Sequence, residues 1–198
     1  MLLDSFTESK IEAGCDEAGR GCLAGPVVAA AVIWPRGVYY EEINDSKKLT
    51  KSNRERLIDL IKREAIDFAV AEVDNVEIDR INILNASYLA MNKAVGKLKQ
   101  KPELLLIDGN RFCGNETVPH ECVIKGDGKY LSIAAASILA KVYRDELMER
   151  MAMEHPEYNW EQNMGYPTPF HKEAIYKYGI TTYHRRTFLR KMDQLKLF

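Results

Sequence analysis

Runs of apolar residues along this chain switch repeatedly between the spacing of a strand and that of a helix. Ile11 to Asp16 is short and apolar and runs into glycine-rich sequence, which predicts a buried strand. Gly25 to Trp34 is almost wholly apolar, and Pro35 ends it, so a second central strand is expected there. Leu57, Ile58, Leu60, Ile61 and Ala65 form one helical face, entered through a Ser52/Glu55 capping box or a Thr50 cap. Ile66 to Val73 predicts a third strand. Ile81, Leu84, Tyr88, Met91, Val95 and Leu98 step by three and four, the clearest helix in the chain, and Pro102 breaks it. Glu103 to Asp108 and Glu121 to Lys125 predict two more strands, ending in Asp108-Gly109-Asn110 and Gly126-Asp127-Gly128. Ser132 to His155 predicts a long helix whose small residues, Ala134 to Ser137, permit close approach to a sheet. Asn163 to Phe170 is rich in glycine and proline and reads as a loop. Helices are expected near Lys172 to Tyr178 and Thr187 to Leu195. Strands cluster first and then alternate with helices, so the fold class is α/β with a mixed sheet.

The bulk properties narrow this little. A chain of 198 residues can bury a sizeable core. Its formal net charge of -1 announces no global basic field, so any nucleic-acid surface must be local. No apolar run approaches the roughly 20 residues of a membrane span. Met1 to Lys10 has no basic stretch followed by an apolar core, so no secretory signal is expected there. Cys15, Cys22, Cys113 and Cys122 include no CxxC pair, which argues against a zinc site and for reduced thiols in a cytosolic protein.

Three expected strand ends carry acids: Asp16-Glu17, Asp108 and Asp127. If those strands are neighbours, the acids gather at one edge of the sheet, where α/β folds place their sites. Such a cluster raises its own pKa values and calls for a counter-charge. Hard oxygen ligands favour Mg²⁺ or Mn²⁺, and two such ions about 4 Å apart suit phosphodiester hydrolysis. Adjacent strand residues point to opposite faces. Asp16 and Glu17 therefore share a site only if the strand bends or one of them offers its backbone carbonyl. The plainer reading is a set of solvated strand-end acids.

Five further runs sharpen the picture: Asp16-Glu17-Ala18-Gly19-Arg20-Gly21 with Gly25-Pro26-Val27; Asn44-Asp45-Ser46-Lys47-Lys48-Leu49; Leu106-Ile107-Asp108-Gly109-Asn110; Lys125-Gly126-Asp127 leading into Ser132 to Val142; and Gly165-Tyr166-Pro167-Thr168 with His184-Arg185-Arg186-Thr187-Phe188. From about Glu12 to Phe188 the chain resembles the bacterial type 2 ribonuclease H family, ribonuclease HII. The resemblance implies a ribonuclease H-like fold with a mixed central sheet, helices on both faces and a helical C-terminal region. It implies one catalytic domain over residues 1–198, with residues 156–198 as a substrate-binding region. The expected substrates are RNA–DNA hybrids and single ribonucleotides in duplex DNA, cut to leave 3′-hydroxyl and 5′-phosphate ends.

By motif, Asp16, Glu17, Asp108 and Asp127 would be the catalytic metal ligands for Mn²⁺ or Mg²⁺. Gly19, Arg20 and Gly21 would read the ribose 2′-hydroxyl, and Ser46, Lys47 and Lys48 would contact phosphates. Tyr166 would pack at the ribo-to-deoxyribonucleotide junction, its plainer role being a core tyrosine. Asp145 reads as structural. Arg185, Arg186, Arg190 and Lys191 form either a strand-tracking basic cluster or a solvated face. His184 is open between a proton donor or phosphate ligand and a structural histidine. Gln194, Leu195, Leu197 and Phe198 resemble the short peptide that binds a DNA sliding clamp, the alternative being a helix end packed on its own domain. A monomer without a membrane anchor is expected. The rivals are a junction resolvase of the same general fold and a non-catalytic hybrid-binding module.

Overall fold

The computed structural model describes residues 2–43, 51–114 and 117–189, without the side chains of residues 51, 52, 54 and 55. Five strands form one sheet: β1 (Glu12–Ala18), β2 (Val27–Ile33), β3 (Asp67–Val73), β4 (Leu104–Asp108) and β5 (His120–Val123). Their order is β3-β2-β1-β4-β5. β2 runs antiparallel to both β1 and β3, whereas β4 runs parallel to both β1 and β5. The sheet is therefore mixed, as the sequence leads one to expect.

Alternate strand residues feed two cores. Ala13, Cys15, Ala29, Ala31, Leu105 and Ile107 pack with α3 (Ile83–Lys97) through Ala86, Ala90, Met91 and Ala94. On the other face Val28, Ala30 and Val32 meet α1 (Lys51–Glu64) and α4 (Leu131–Glu154), through Leu57, Ile61, Ala134, Ala135 and Ile138. Gly14 explains how closely α4 approaches. A Cβ there would stand 2.4 Å from the Ile133 nitrogen, so only a residue without one admits the helix backbone. The small residues at the start of α4 do the same from their side.

A third apolar cluster lies beyond the sheet. Leu23 and Ala24 pack with Met148 and Ala152 of α4, with Tyr158 and Trp160, and with Ala174 and Ile175 of α6 (Pro169–Tyr178). Backbone hydrogen bonds tie these C-terminal elements to the loop after β1: Leu23 N–H donates to Gly165 C=O at 2.7 Å, and Arg185 N–H to Leu23 C=O at 2.8 Å.

The differences from expectation are local. The clearest predicted helix begins earlier, as α2 (Asn75–Ile81), and breaks at Asn82, whose φ of 66° lies outside the helical region. Asn82 Oδ1 accepts from the Leu84 and Asn85 amides and so starts α3 afresh. α1 already begins at Lys51, which places Ser52 inside the helix rather than at its cap; Thr50 lies outside the described residues. β5 stops at Val123 instead of Lys125, because Lys125 turns into the left-handed region at φ 56°. Gly126–Gly128 then forms a 3₁₀ turn, so Asp127 sits on a turn rather than on a strand end. Within the expected glycine- and proline-rich loop, α5 (Trp160–Asn163) reaches its first residue, and α6 opens at Pro169, capped by Thr168 Oγ1. Residues 186–189 begin the last expected helix, and the remainder lies outside the described residues. All four cysteines are free, with Cys15 and Cys22 buried. Among the described residues no helix is long and apolar enough to cross a membrane.

Candidate active site

The pairing of β1 and β4 explains why two distant acids meet. Their parallel ladder joins Cys15 to Ile107, so the next residue on each strand is Asp16 and Asp108. Both belong to the alternation that faces α4, and both line one cleft at the carboxyl edge of the sheet. Glu17 lines the same cleft although it alternates to the other face. The strand stays regular through Ala18. The expected bend is therefore absent, and the cleft takes in both side chains by lying across the strand end.

Asp16 is only 5 % exposed. Burial first, then the charges of Glu17 and Asp108, hold its carboxyl well above the usual carboxylate range. A hydrogen bond with Ser137 of α4 and the Glu17 amide, at 2.7 Å from Oδ1, oppose that rise without cancelling it. Asp108 Oδ1 accepts from the Gly126 amide at 2.7 Å, which ties β4 to the turn carrying Asp127. Asp127 is buried, but it is not among the residues lining this cleft. Among the described residues no three His, Cys, Asp or Glu side chains stand arranged to enclose a metal ion. The chemistry of the donors nevertheless fits one. They are hard carboxylate oxygens, and a buried carboxyl raised by two acidic neighbours needs the charge that a divalent cation carries.

Next to the acids comes the Gly19-Arg20-Gly21 loop, which also lines the cleft. Gly19 has φ 96°, and a Cβ there would strike the Arg144 side chain at 2.0 Å, so both conformation and space demand glycine. Arg20 turns back to Glu17, its Nη1 3.0 Å from Oε1. Beneath the loop lie two buried arginines. Arg144 donates to the Pro26, Ala24 and Met164 carbonyls at 3.0, 3.1 and 2.9 Å. Arg185 donates to the Gly25, Arg20 and Pro26 carbonyls at 2.9, 3.1 and 3.0 Å. Burying a guanidinium costs several kcal/mol. Three charge-assisted bonds at about 1.5–3 kcal/mol each are enough to offset it. Burial pushes Arg185 down to about 10, which leaves it charged at neutral pH. Arg185 is thus part of the framework, not of a strand-tracking or solvated basic cluster, whereas Arg186 is exposed.

Tyr166 closes the cleft from the C-terminal side and is 41 % exposed. It is not a core tyrosine. Burial of part of its ring, and then Cys22, push its phenol up from the usual value. Its carbonyl faces His171 Nδ1 at 2.9 Å. His171 Nε2 accepts from Trp160 Nε1 at 3.0 Å and so must be the unprotonated nitrogen. His184 Nε2, 3.2 Å away, then donates to it, while His184 Nδ1 accepts from the Thr181 amide at 2.9 Å. Both imidazoles are neutral and fully committed. Burial first, then His171 and His155, lower His184 to about 3. His184 is therefore structural rather than a proton donor or phosphate ligand.

Ser46, Lys47 and Lys48 lie outside the described residues, as do Arg190, Lys191 and residues 194–198. Sequence reasoning missed Lys141, which lines the cleft one turn beyond Ser137 and pairs with Asp145. The spacing 137, 141, 145 on one helix face was the available signal. Asp145 itself is buried and pairs with Lys141.

Known proteins place this geometry. Residues 13–192 match the sequence profile of the family described as Ribonuclease HII. A curated Ribonuclease HII from Parabacteroides distasonis is 58% identical over 197 residues, covering 100% of this chain and 99% of that protein. The crystal structure of the ribonuclease H2 from Pyrococcus horikoshii OT3 superposes with a TM-score of 0.76 at 28% identity, covering 93% of this chain and 97% of that one. The Archaeoglobus fulgidus RNase HII, solved in complex with PCNA, gives 0.73 at 26% identity, covering 88% and 93%. With Asp16, Glu17, Asp108, the glycine loop and Tyr166 in one cleft of a ribonuclease H-like fold, the chain belongs to the ribonuclease HII family of metal-dependent endonucleases, which cut RNA–DNA hybrids and ribonucleotides embedded in DNA.

Proposed function

We propose that this chain hydrolyses the phosphodiester on the 5′ side of a ribonucleotide, leaving 3′-hydroxyl and 5′-phosphate ends, with Mg²⁺ or Mn²⁺ held by Asp16, Glu17, Asp108 and Asp127. The observation that carries this reading is the meeting of Asp16 and Asp108 on neighbouring parallel strands beside the Gly19–Gly21 loop. When bound, such ions lower the pKa of an attacking water and stabilise charge on the leaving oxygen. Asp16 and Asp108, which share the α4 face, would be the first to hold such ions, and Glu17 and the turn-borne Asp127 would supply further carboxylate oxygens. A cation beside it would favour the ionised form of the raised Asp16 carboxyl.

The remaining residues bind and orient the duplex. Backbone groups of Gly19, Arg20 and Gly21 read the ribose 2′-hydroxyl, the group that separates RNA from DNA. Tyr166, facing Gly21 across the cleft, packs against the sugar next to the scissile bond. Lys141 contacts a phosphate, and its partner Asp145 holds it toward the cleft. Ser46, Lys47 and Lys48 add phosphate contacts that carry affinity but no sequence information. The chain is one catalytic domain, with residues 156–198 contributing the Tyr166 side of the substrate groove. Residues Gln194, Leu195, Leu197 and Phe198 dock on a sliding clamp; the PCNA complex of the archaeal relative supports clamp binding in this family.

The test is cleavage of duplex DNA carrying a single ribonucleotide, with Mg²⁺, with Mn²⁺ and with chelator, mapping the ends. Cutting 5′ to the ribonucleotide, only with metal, is expected. Equal cutting of the all-DNA duplex would indicate a resolvase-like enzyme, and binding without cutting would indicate a non-catalytic module.

A further inference from the structure

The structure assigns Arg185 and Arg144 as positioning residues that aim the glycine loop at the ribose, and so set the preference for ribonucleotides; this rests on the reading that the Gly19–Gly21 backbone contacts the 2′-hydroxyl. Arg185 Nη1 holds the Arg20 carbonyl at 3.1 Å from beneath the loop. A trans peptide is planar, with its C=O and N–H pointing in opposite directions. Drawing the Arg20 carbonyl inward therefore turns the N–H of the same peptide, that of Gly21, outward to the cleft that Gly21 lines. The other two arms of Arg185 hold Gly25 and Pro26, so the far end of the loop cannot rotate to relieve that orientation.

Arg144 fixes the second half of the cleft. Its Nε and Nη2 hold Pro26 and Ala24 at 3.0 and 3.1 Å, while Nη1 holds the Met164 carbonyl at 2.9 Å, two residues before Tyr166. Its side chain also fills the space beneath Gly19. One guanidinium thus ties the loop that would read the sugar to the segment bearing the tyrosine that would pack on it. The two arginines are 1% and 0% exposed, so neither can touch substrate directly. A lysine in either place keeps the charge and loses the planar fork that spans three carbonyls.

The experiment uses the full chain carrying Asp108→Asn, so that duplexes bind without being cut. Affinity is measured by fluorescence anisotropy, in Mg²⁺, for a duplex with one ribonucleotide and for the all-DNA duplex of the same sequence. Arg185→Lys is expected to lower the ratio of the two affinities by about tenfold while changing the all-DNA affinity by no more than about twofold. A purely structural role would weaken both duplexes alike. Amide exchange at Gly21 in the Asp108→Asn parent separates the proposal from the reading beneath it. If both duplexes slow that exchange equally, the loop reading itself fails. If the ribonucleotide duplex alone slows it and Arg185→Lys keeps the full affinity ratio, the positioning role is overturned. Should Arg185→Lys not fold, Arg144→Lys is judged by the same ratio, and failure of both to fold assigns the pair to the core alone and also overturns the proposal.

Discussion

A cluster of acids and a pair of histidines among the described residues are built in opposite ways. At the carboxyl edge of the sheet, Asp16, Glu17 and Asp108 crowd like charges together, and burial makes the crowding worse. Behind the cleft, His171 and His184 are fully buried, yet each ring nitrogen has a hydrogen-bond partner and neither ring needs a charge. In the first cluster burial and the neighbouring acids raise the Asp16 carboxyl; in the second the hydrogen bonds are met by neutral rings within the fold. Burial alone does not mark a functional group. What marks it here is a carboxyl held well above its usual range by burial and neighbouring acids in an open cleft.

The sharpest way to break this comparison is to remove one acid. Asp108→Asn should lower turnover on the ribonucleotide duplex by about a thousandfold or more while circular dichroism and the unfolding transition show an intact fold. Near wild-type turnover would place the chemistry elsewhere. The opposite outcome belongs to the histidines. His184→Ala takes from His171 Nε2 its contact with His184 and from the Thr181 amide its acceptor, and opens a cavity, so urea unfolding should show a loss of about 2–4 kcal/mol. Cleavage per folded molecule should stay near wild type. A selective loss of turnover would return His184 to the catalytic machinery.

Smaller effects refine the boundary between the clusters. Lys141→Met should raise KM by about threefold to tenfold and reduce the slope of log affinity against log salt by about one. An unchanged slope would mean that Lys141 serves only its pair with Asp145. The histidines also predict a pH dependence. His184 falls from 6.5 to about 3 on folding, and His171 falls as well, chiefly through burial. The unfolded chain therefore binds protons first, and stability that is full above pH 6.5 is lost as the pH drops toward 3. The histidine contribution to Tm should decline between pH 7 and pH 5, against the opposite contribution of the raised Asp16 carboxyl, so the Tm of His184→Ala should fall less, or rise more, than that of wild type over this window.

The contrast also explains what the sequence made legible. The strands were readable because each is a compact apolar run, and β2 is buried along its whole length. The α2–α3 break was not, because the apolar steps continue across Asn82 and only its side-chain cap interrupts them. Asp16, Glu17 and Asp108 were recognisable because glycines and strand ends surround them. Asp127 was named for the same site, but its position depends on the left-handed Lys125, a turn that no apolar period records. Arg144 and Arg185 were harder still. Their carbonyl partners in the loop lie more than a hundred residues away in sequence, so an arginine in the framework looks like any basic residue until the fold brings Ala24, Gly25 and Pro26 to it.

The central claim is that divalent cations stabilise the buried, raised Asp16 carboxyl beside its acidic neighbours, and a thermal unfolding series on the wild-type chain and Asp16→Asn tests it most directly. In chelator at pH 7, Asp16→Asn should melt higher than wild type, because it removes a buried carboxyl raised by burial and two acidic neighbours. Saturating Mn²⁺ should raise the wild-type Tm and move the variant much less. A wild-type Tm indifferent to Mn²⁺, together with a variant less stable than wild type in chelator, would contradict the account.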